Sequence, residues 1–343
     1  GTASLRAAAS VSPRSDGVIS IAANGPLGHE FSAQLPYDDQ PADGLALRWW
    51  GLVHTLVQRQ VLSRDTAGMD ITVESDVPVG AGLGALYAAD AAIALALAGA
   101  HDDVDTAPFR ARLAEICSHA MATYSSLPVL RARHSVALRG AEGVSVVDYA
   151  DGSLTQAPHP FRHGVRVFSV AASLGAPFAE SREAIATHRA FIDAACTNFG
   201  VASLRQLPDA PGRVAQWVEA RRAAGDDTAP DPETARRWVT FCESETLRSL
   251  AASKALRSRR ANELFTLLNS ASEAHSLATP DALVALARER GAVAARPAAT
   301  GTSNAVIAFV PVQEADAFVG SMARDYEVVE VAADEPARLE GQA

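Results

Sequence analysis

The spacing of hydrophobic positions changes along this chain, and each change predicts a different element. Residues 3–23 alternate between apolar and polar side chains around a turn signal at residues 13–17, which predicts two strands. Residues 44–60 and 107–124 carry apolar side chains at helical spacing, and Thr106 stands before the second run as a cap. The first half of the chain is therefore predicted to mix strands with helices.

The second half of the chain is mostly helical in its pattern. Asp231 and Pro232 predict a cap and a first helical turn. The other elements predicted from periodicity and turn signals are strands at residues 144–149, 165–171, 304–312 and 326–331 and a helix at residues 314–325. The mixture predicts an α+β fold in two domains, residues 1–160 and residues 161–343.

A glycine loop at residues 78–84 follows a short alternating strand and precedes an Ala-rich helix. Glycines let the backbone of such a turn expose its N–H groups, and the N-terminus of the following helix adds a positive dipole. Together these features predict an anion site, usually for phosphate. The residues expected to face a ligand are Gly80, Ala81, Gly82, Leu83 and Gly84.

The charge balance and the apolar runs argue against two classes of partner. The formal net charge is −10 and the pI is about 5.4, whereas proteins that bind nucleic acid are normally basic. The longest apolar stretch, residues 88–100, is interrupted by Asp90 and is too short to span a bilayer. We therefore expect neither nucleic acid nor a membrane as a partner.

Three scattered cysteines, Cys117, Cys196 and Cys242, lack the spacing of a disulfide framework or a zinc site. They are predicted to be free, buried thiols in a reducing compartment, so the protein is expected to be cytoplasmic. The pattern predicts no metal-ligating residue and leaves the oligomeric state open.

The glycine loop resembles the second motif of the GHMP small-molecule kinases and, within them, that of the galactokinases. Further matches follow in the family's order over nearly the whole chain, at residues 3–17, 50–53, 241–245, 263–268, 276–277 and 305–331. The resemblance implies a GHMP-kinase-like fold, with a cleft between an N-terminal α/β domain and a C-terminal α+β domain. It also implies ATP and Mg²⁺ as cofactors and a sugar such as galactose as the substrate.

The serines that this family carries after Pro-x-Gly-Ala-Gly-Leu are replaced in this chain. The run reads Gly84-Ala85-Leu86-Tyr87, so the hydroxyls expected at the phosphate and the magnesium ion are missing. Tyr87 either fills the phosphate space or packs with Leu86 on the core. The second alternative is favoured, because apolar side chains are usually inside.

The catalytic base of galactokinases is an Asp in an Asp-Gln pair, and in this chain Arg133 and His134 stand at the matching positions. An arginine stays protonated and cannot act as a base. Arg133, together with Arg131, either binds a phosphate or carboxylate in a remodelled pocket or lies in a solvated basic turn. His134 is either a structural histidine, the commoner case, or a replacement base.

The family's third motif, a glycine-rich turn that lets the backbone approach the nucleotide, corresponds to residues 298–304. One glycine, Gly301, remains there, and Thr300 and Ser303 offer hydroxyls to a nucleotide. The same residues also fit an ordinary polar turn before the next strand. By the resemblance, the family's first motif would lie upstream of residue 1.

Three functions follow from these observations. The first is a galactokinase-like protein in which ATP-dependent sugar phosphorylation is lost or weak and the cleft binds a sugar, nucleotide or other anion. The second is an active galactokinase or related kinase with an atypical site. The third is a regulatory or interaction protein, for which the pair Trp49-Trp50 is either a surface anchor or part of the core. The joint loss of the base, the hydroxyls and the glycines favours the first.

Overall fold

The structure, a computed structural model, describes residues 3–25, 31–174, 182–270, 277, 279–300 and 302–340. Its helices are α1 (Gly44–Gln58), α2 (Ala85–Leu97), α3 (Ala107–Tyr124), α4 (Arg131–Arg139), α5 (Arg182–Phe199), α6 (Ala210–Ala223), α7 (Pro232–Arg257), α8 (Ala261–Asn269), α9 (Asp281–Glu289) and α10 (Ala315–Met322). Its strands are β1 (Ala7–Pro13), β2 (Val18–Asn24), β3 (Phe31–Pro36), β4 (Met69–Ser75), β5 (Val144–Val147), β6 (Leu154–Ala157), β7 (Val165–Ala171), β8 (Ala294–Pro297), β9 (Val306–Pro311) and β10 (Glu327–Glu330). The predicted α+β fold is confirmed.

The first sheet has the strand order β1-β4-β2-β3, and helices α1 to α4 share its hydrophobic core. Strand β4 pairs with β2 in parallel and with β1 antiparallel. Side chains alternate between the two faces along the central strands β2 and β4, so one face of these strands points toward this core. The core-facing residues Ile19, Ile21, Ile71 and Val73 are all buried. The glycine loop leaves the end of β4 and enters α2, so this packed core fixes both of its ends.

The second sheet is antiparallel throughout and has the order β10-β7-β9-β8. One of its faces packs on α9 and α10, with the rings of Phe168 and Phe318 5.7 Å apart. The other face carries Val167 and Phe309 toward α8. Strand β7, which matches its predicted bounds, places Ser169 next to the glycine loop.

The chain after β10 returns to the first core. The Ser4 N–H donates to the Ala332 carbonyl at 3.0 Å, and the Ala337 N–H donates to the Ala137 carbonyl at 2.7 Å. Leu339 then packs against the same core. The two halves are therefore joined by this tail as well as by the chain around residue 160, and the division of the chain at that residue stays a prediction.

Local sequence signals account for several helix ends. The Thr106 hydroxyl accepts a hydrogen bond from the Phe109 N–H at 3.4 Å, and the Asp231 carboxylate accepts from the N–H groups of Glu233 and Thr234. Both predicted caps are confirmed. The turn expected in one alternative for Arg131 and Arg133 is wrong, because both residues lie in helix α4, although Arg131 is exposed.

Other expectations have mixed outcomes. Cys117 is buried, but Cys196 and Cys242 are half-buried, so the prediction of buried thiols is right for one of the three. Trp49 and Trp50 are both buried, so neither is a surface anchor. Among the helices of the described ranges, none is long and apolar enough to cross a membrane.

Candidate functional site

The glycine loop has a backbone that few other residues adopt. Gly80, Gly82 and Gly84 have φ angles of 92°, 68° and 80°, in the left-handed region that L side chains rarely occupy. A Cβ atom on Gly82 would overlap with Ala298 and lie 3.0 Å from the Ser303 hydroxyl. Glycine is therefore required at position 82 both by its φ angle and by the closeness of the second half of the chain.

Three successive carbonyl groups of this loop are held by side chains. The Gly80 carbonyl accepts a hydrogen bond from the Ser303 hydroxyl at 3.3 Å, and the Ala81 carbonyl accepts from the buried Ser169 hydroxyl at 2.6 Å. The Gly82 carbonyl accepts from Arg133 Nη2 at 2.7 Å. These bonds fix the loop with its carbonyl oxygens turned toward protein groups.

The backbone N–H groups of the loop differ from its carbonyl groups in their hydrogen bonding. Within the described part of the chain, none of the backbone N–H groups of residues 80–84 has a hydrogen-bond acceptor. Gly84 is also the N-cap of α2 and provides no capping side chain. Open N–H groups at the start of a helix attract an anion, because hydrogen bonding and the helix dipole act in the same direction.

Arg133 lies against this loop from helix α4. Its Cδ and Nη1 atoms are each 3.3 Å from the position that a Cβ atom of Gly84 would take. Arg133 forms no ion pair with any carboxylate of the described residues, and its burial lowers the pKa of the guanidinium. The group stays charged, because arginine is not deprotonated in proteins. Its positive charge is therefore balanced by no acidic side chain at the site.

Two cavities adjoin the loop. The smaller, of about 80 Å³, lies between the start of α2, residues 127–130 and the turn that carries Thr302. The larger, of about 480 Å³, lies between the two sheets and helices α2 and α4. Gly82, Gly84, Tyr87 and Arg133 line both cavities.

His134, next to Arg133, points away from both cavities into a buried polar cluster. Its Nε2 is 3.0 Å from Asp90 Oδ2, and its Nδ1 is 3.0 Å from the Ser118 hydroxyl. Arg48 donates to both oxygens of Asp90, at 2.9 and 2.5 Å, and the Trp49 indole donates to the same carboxylate at 3.1 Å. Asp90 and His134 have no exposed surface.

The charges of this cluster follow from burial and pairing. Burial, the largest effect, opposes ionisation of Asp90, but Arg48 and His134 outweigh it and lower the pKa of the carboxyl. Burial also lowers the pKa of His134, although Asp90 opposes that shift. The neutral ring then donates from Nε2 to Asp90 and accepts from Ser118 at Nδ1. With both nitrogens engaged, His134 has no lone pair for a ligand proton.

The remaining residues singled out from the sequence lie at different distances from the cavities. Ala81 is fully buried beneath the loop, Leu83 lines the larger cavity, and Ser303 holds the Gly80 carbonyl. Thr300 and Arg131 line neither cavity, and Arg131 is exposed. Gly301 and the match at Ser276 lie outside the described residues.

Leu86 and Tyr87 stand at positions where the resemblance predicts serines. Leu86 is buried in the first core, as the favoured alternative expected. The Tyr87 ring lies 5.0 Å from the His134 ring at an interplanar angle of 59°, and its hydroxyl donates a hydrogen bond to the Pro128 carbonyl. Tyr87 therefore packs against the protein and also forms part of the wall of both cavities.

The donor set at the loop does not fit a magnesium ion. Mg²⁺ prefers oxygen ligands such as carboxylates and hydroxyls, and Ala85 and Leu86 supply neither. Asp90, one turn further along α2, has both oxygens occupied by Arg48, Trp49 and His134. No cluster of three or more His, Cys, Asp or Glu side chains that could hold a metal ion occurs in the ranges that the structure describes. The open N–H groups and Arg133 do fit a phosphate group of a nucleotide or of another ligand.

Sequence reasoning missed the residues that support the site. In the sequence, Asp90 stands out only as an interruption of an apolar run, and no pattern singles out Arg48 or Ser169. A carboxylate inside an Ala-rich helix was the one available signal, because a buried charge requires a partner. The partners lie 42 and 44 residues away in sequence, and no spacing rule connects them.

No protein-family model matches the sequence, and no curated protein matches it. The structure is similar to galactokinase from Lactococcus lactis, solved with galactose, with a TM-score of 0.72 and 15% identity over 97% of this chain and 87% of that chain.

Two further similar structures are kinases of other small molecules. A D-glycero-D-manno-heptose 1-phosphate kinase from Bacteroides thetaiotaomicron has a TM-score of 0.57 and 12% identity, covering 99% of this chain and 89% of that chain. Mevalonate kinase from Methanococcus jannaschii has a TM-score of 0.52 and 12% identity, covering 95% and 88%. Identities this low establish the fold alone, and the fold is the two-domain α+β fold of the GHMP kinases, as the resemblance predicted.

Proposed function

We propose that this protein binds a phosphate-bearing or other anionic small molecule at its glycine loop and has lost most or all ATP-dependent sugar phosphorylation. One observation carries the proposal. Arg133, a cation with no carboxylate partner among the described residues, lies on the loop at the position where the resemblance places the base of galactokinases. A fixed positive charge at that position attracts an anion and cannot remove a proton from a sugar hydroxyl.

The surrounding groups support the same conclusion. Removal of a catalytic base lowers a rate by roughly 10²–10⁴-fold. The loss of hydroxyls for Mg²⁺ removes the neutralisation of charge that phosphoryl transfer requires. His134 does not replace the base, because Asp90 and Ser118 occupy both of its ring nitrogens. The loop N–H groups and Arg133 keep the part of the site that binds an anion.

An active galactokinase or related kinase is the second candidate. The left-handed conformation of Gly80, Gly82 and Gly84 and their open N–H groups favour it, since a phosphate loop needs both. This candidate requires Mg²⁺-dependent binding of ATP and turnover of galactose. Turnover in the usual kinase range of about 1–100 s⁻¹ would contradict the loss of activity.

Calorimetric titration with inorganic phosphate tests the anion site. The wild type, Arg133→Gln and Arg131→Gln are compared at the same ionic strength, because charge-dependent binding is screened by salt. We expect Arg133→Gln to weaken phosphate binding by at least about 10-fold, since a charged hydrogen-bond donor is lost. Arg131→Gln, on the exposed side of the same helix, should leave binding unchanged. Equal phosphate affinity in all three proteins would overturn the proposal.

A further inference from the structure

The larger cavity has walls that differ from those of a sugar site. It has a volume of about 480 Å³, within the usual range for a small-molecule pocket. Most of the side chains that line it are apolar, and they come from the segment before β1, the glycine loop, α4, β7 and β9: Leu5, Leu83, Val136, Val167, Ile307 and Phe309. Such a surface favours an apolar ligand, because removal of apolar surface from water lowers the free energy of binding.

The polar groups on the cavity wall are largely engaged with protein partners. The Ser145 hydroxyl donates to Gln156 Oε1 at 3.1 Å, and the Tyr87 hydroxyl donates to the Pro128 carbonyl. The charged pairs on the wall are Arg6 with Asp334 at 3.0 Å and Glu335 with Arg338 at 3.1 Å. The His159 Nδ1 accepts from the Phe161 N–H at 3.3 Å, and burial lowers the pKa of this histidine to about 4, so its ring is neutral.

These contacts leave few groups for the hydroxyls of a sugar. A buried hydroxyl without a hydrogen-bond partner loses its water contacts with no replacement, and sites that bind hydroxyl-rich ligands supply matched partners for that reason. Arg133 is the cationic side chain that the described cavity wall presents without a carboxylate partner. Its guanidinium has five donors, of which one is used on the Gly82 carbonyl.

We infer that the ligand is an amphipathic anion, with its phosphate or carboxylate at Arg133 and the glycine loop and an aliphatic or aromatic body in the larger cavity. This inference rests on the proposed anion site and adds the chemical class of the ligand. The two cavities meet at Gly82, Gly84, Tyr87 and Arg133. A head group that contacts Arg133 can therefore extend its apolar part directly into the larger cavity.

Calorimetric titration with n-alkyl phosphates tests the inference. The probes are inorganic phosphate, butyl phosphate, hexyl phosphate, octyl phosphate and galactose 1-phosphate, each in monomeric solution, added to the protein at its natural length. Each methylene buried should increase affinity by roughly fourfold, so octyl phosphate should bind on the order of 100-fold more tightly than butyl phosphate. Galactose 1-phosphate should bind within about threefold of inorganic phosphate, since its hydroxyls find few partners.

Variants of the cavity wall locate the binding. Val136→Phe on α4 and Ala88→Leu on α2 both reduce the larger cavity without touching the smaller one. Each should weaken octyl phosphate by at least about 10-fold and leave inorganic phosphate unchanged. Two substitutions on different helices are used, with circular dichroism to check folding, so that one failed fold does not decide the outcome. Arg133→Gln should weaken every phosphate probe by a similar factor.

The outcomes separate this inference from the proposed function. Phosphate binding that depends on Arg133 but gains nothing with chain length would overturn the inference and leave the anion site standing. Tighter binding of galactose 1-phosphate than of octyl phosphate would also overturn it, in favour of a sugar ligand. An octyl phosphate affinity that neither wall variant changes would place the alkyl chain outside the larger cavity and overturn the inference. No binding of any phosphate probe would overturn the proposed function and this inference together.

Discussion

Arg133 donates a 2.7 Å hydrogen bond from Nη2 to the carbonyl oxygen of Gly82, so a side chain of helix α4 and the backbone of the glycine loop form one surface. This hydrogen bond has two further effects on the loop. It occupies a loop carbonyl and presents positive charge beside N–H groups that have no acceptor in the described chain. The left-handed glycine backbone of the loop is therefore combined with a cation that favours anion binding.

The closeness of Gly82 to the second half of the chain gives a first prediction. Gly82→Ala adds a Cβ atom that overlaps Ala298, in addition to the strain of a φ of +68°. We expect a loss of about 2–4 kcal/mol in the free energy of unfolding and a large loss of phosphate binding. Urea denaturation and calorimetry measure the two effects.

Gly152 provides a matched control for this change. It has the same φ of +68°, but a Cβ atom there meets nothing within 4 Å. Gly152→Ala should therefore cost only the backbone strain, about 1 kcal/mol, and leave phosphate binding unchanged. Equal destabilisation by the two substitutions would show that the loop is not packed against Ala298.

The buried ion pair of Arg48 and Asp90 gives a second prediction. Asp90→Asn leaves the guanidinium of Arg48 buried without its counter-charge, and we expect a loss of about 3–5 kcal/mol in the free energy of unfolding. Asp70→Asn is the control, because Asp70 pairs with Arg14 at 2.8 Å with a side chain that is 45% exposed. That change should cost less than about 1 kcal/mol. Similar losses in urea titrations of the two variants would contradict a buried, charged Asp90.

The pH dependence of stability gives a third prediction. In the folded protein burial lowers the pKa of His134, whereas an unfolded histidine titrates near pH 6.5. As the pH falls below about 6.5, the His134 ring is protonated in the unfolded chain but stays neutral in the folded protein. The free energy of unfolding should therefore fall by up to about 1.4 kcal/mol per pH unit, and Asp90, whose pKa is also lowered, adds a further loss below about pH 4.

Two histidine variants assign this pH dependence. His134→Gln retains a donor toward Asp90 but does not titrate, so the loss of stability below pH 6.5 should become smaller by the share of one histidine. The remaining loss comes from His54 and His159, because burial lowers their pKa values as well. His119→Gln, at an exposed position of α3, should keep the wild-type profile. Stability that increases as the pH falls from 7 to 5 would mean that His134 is protonated in the folded protein.

The Ser169 hydroxyl gives a fourth prediction. It is buried and donates to the Ala81 carbonyl at 2.6 Å, which ties strand β7 to the glycine loop. Ser169→Ala leaves that carbonyl without a donor and should cost about 1–3 kcal/mol in the free energy of unfolding, together with weaker phosphate binding. Ser10→Ala, at an exposed position of β1, should change neither quantity. If Ser169→Ala weakens binding no more than Ser10→Ala does, the tie to β7 does not hold the loop for its ligand.

Much of the fold could be predicted from local pattern. Strand β7 and the caps at Thr106 and Asp231 follow from periodicity and side-chain chemistry that act within a few residues. The sequence pattern does not predict helix α4, because one of its two buried positions, 134 and 138, carries a histidine where an amphipathic helix usually has an apolar side chain. The polar His134 faces the core there, since a partner for it, Asp90, lies on another helix.

The candidate site was predictable only in part. The glycines predict a loop with residues in the left-handed conformation, because few other residues adopt that conformation. The chemistry of Arg133 could be stated as two alternatives, but its place depends on how α4 packs on α2. That packing includes the Asp90–His134 contact over 44 residues of sequence, which a local pattern does not contain. The cavities likewise arise from tertiary packing, and their volume and lining cannot be predicted from a local sequence pattern.

Calorimetric titration of the protein at its natural length with ATP, with and without Mg²⁺ and galactose, tests the central claim most directly. The account predicts ATP binding through its phosphates that is weakened by Arg133→Gln, is not strengthened by Mg²⁺ and leads to no release of ADP. Binding that requires Mg²⁺, becomes tighter with galactose and is followed by ADP release at ordinary kinase rates would contradict it.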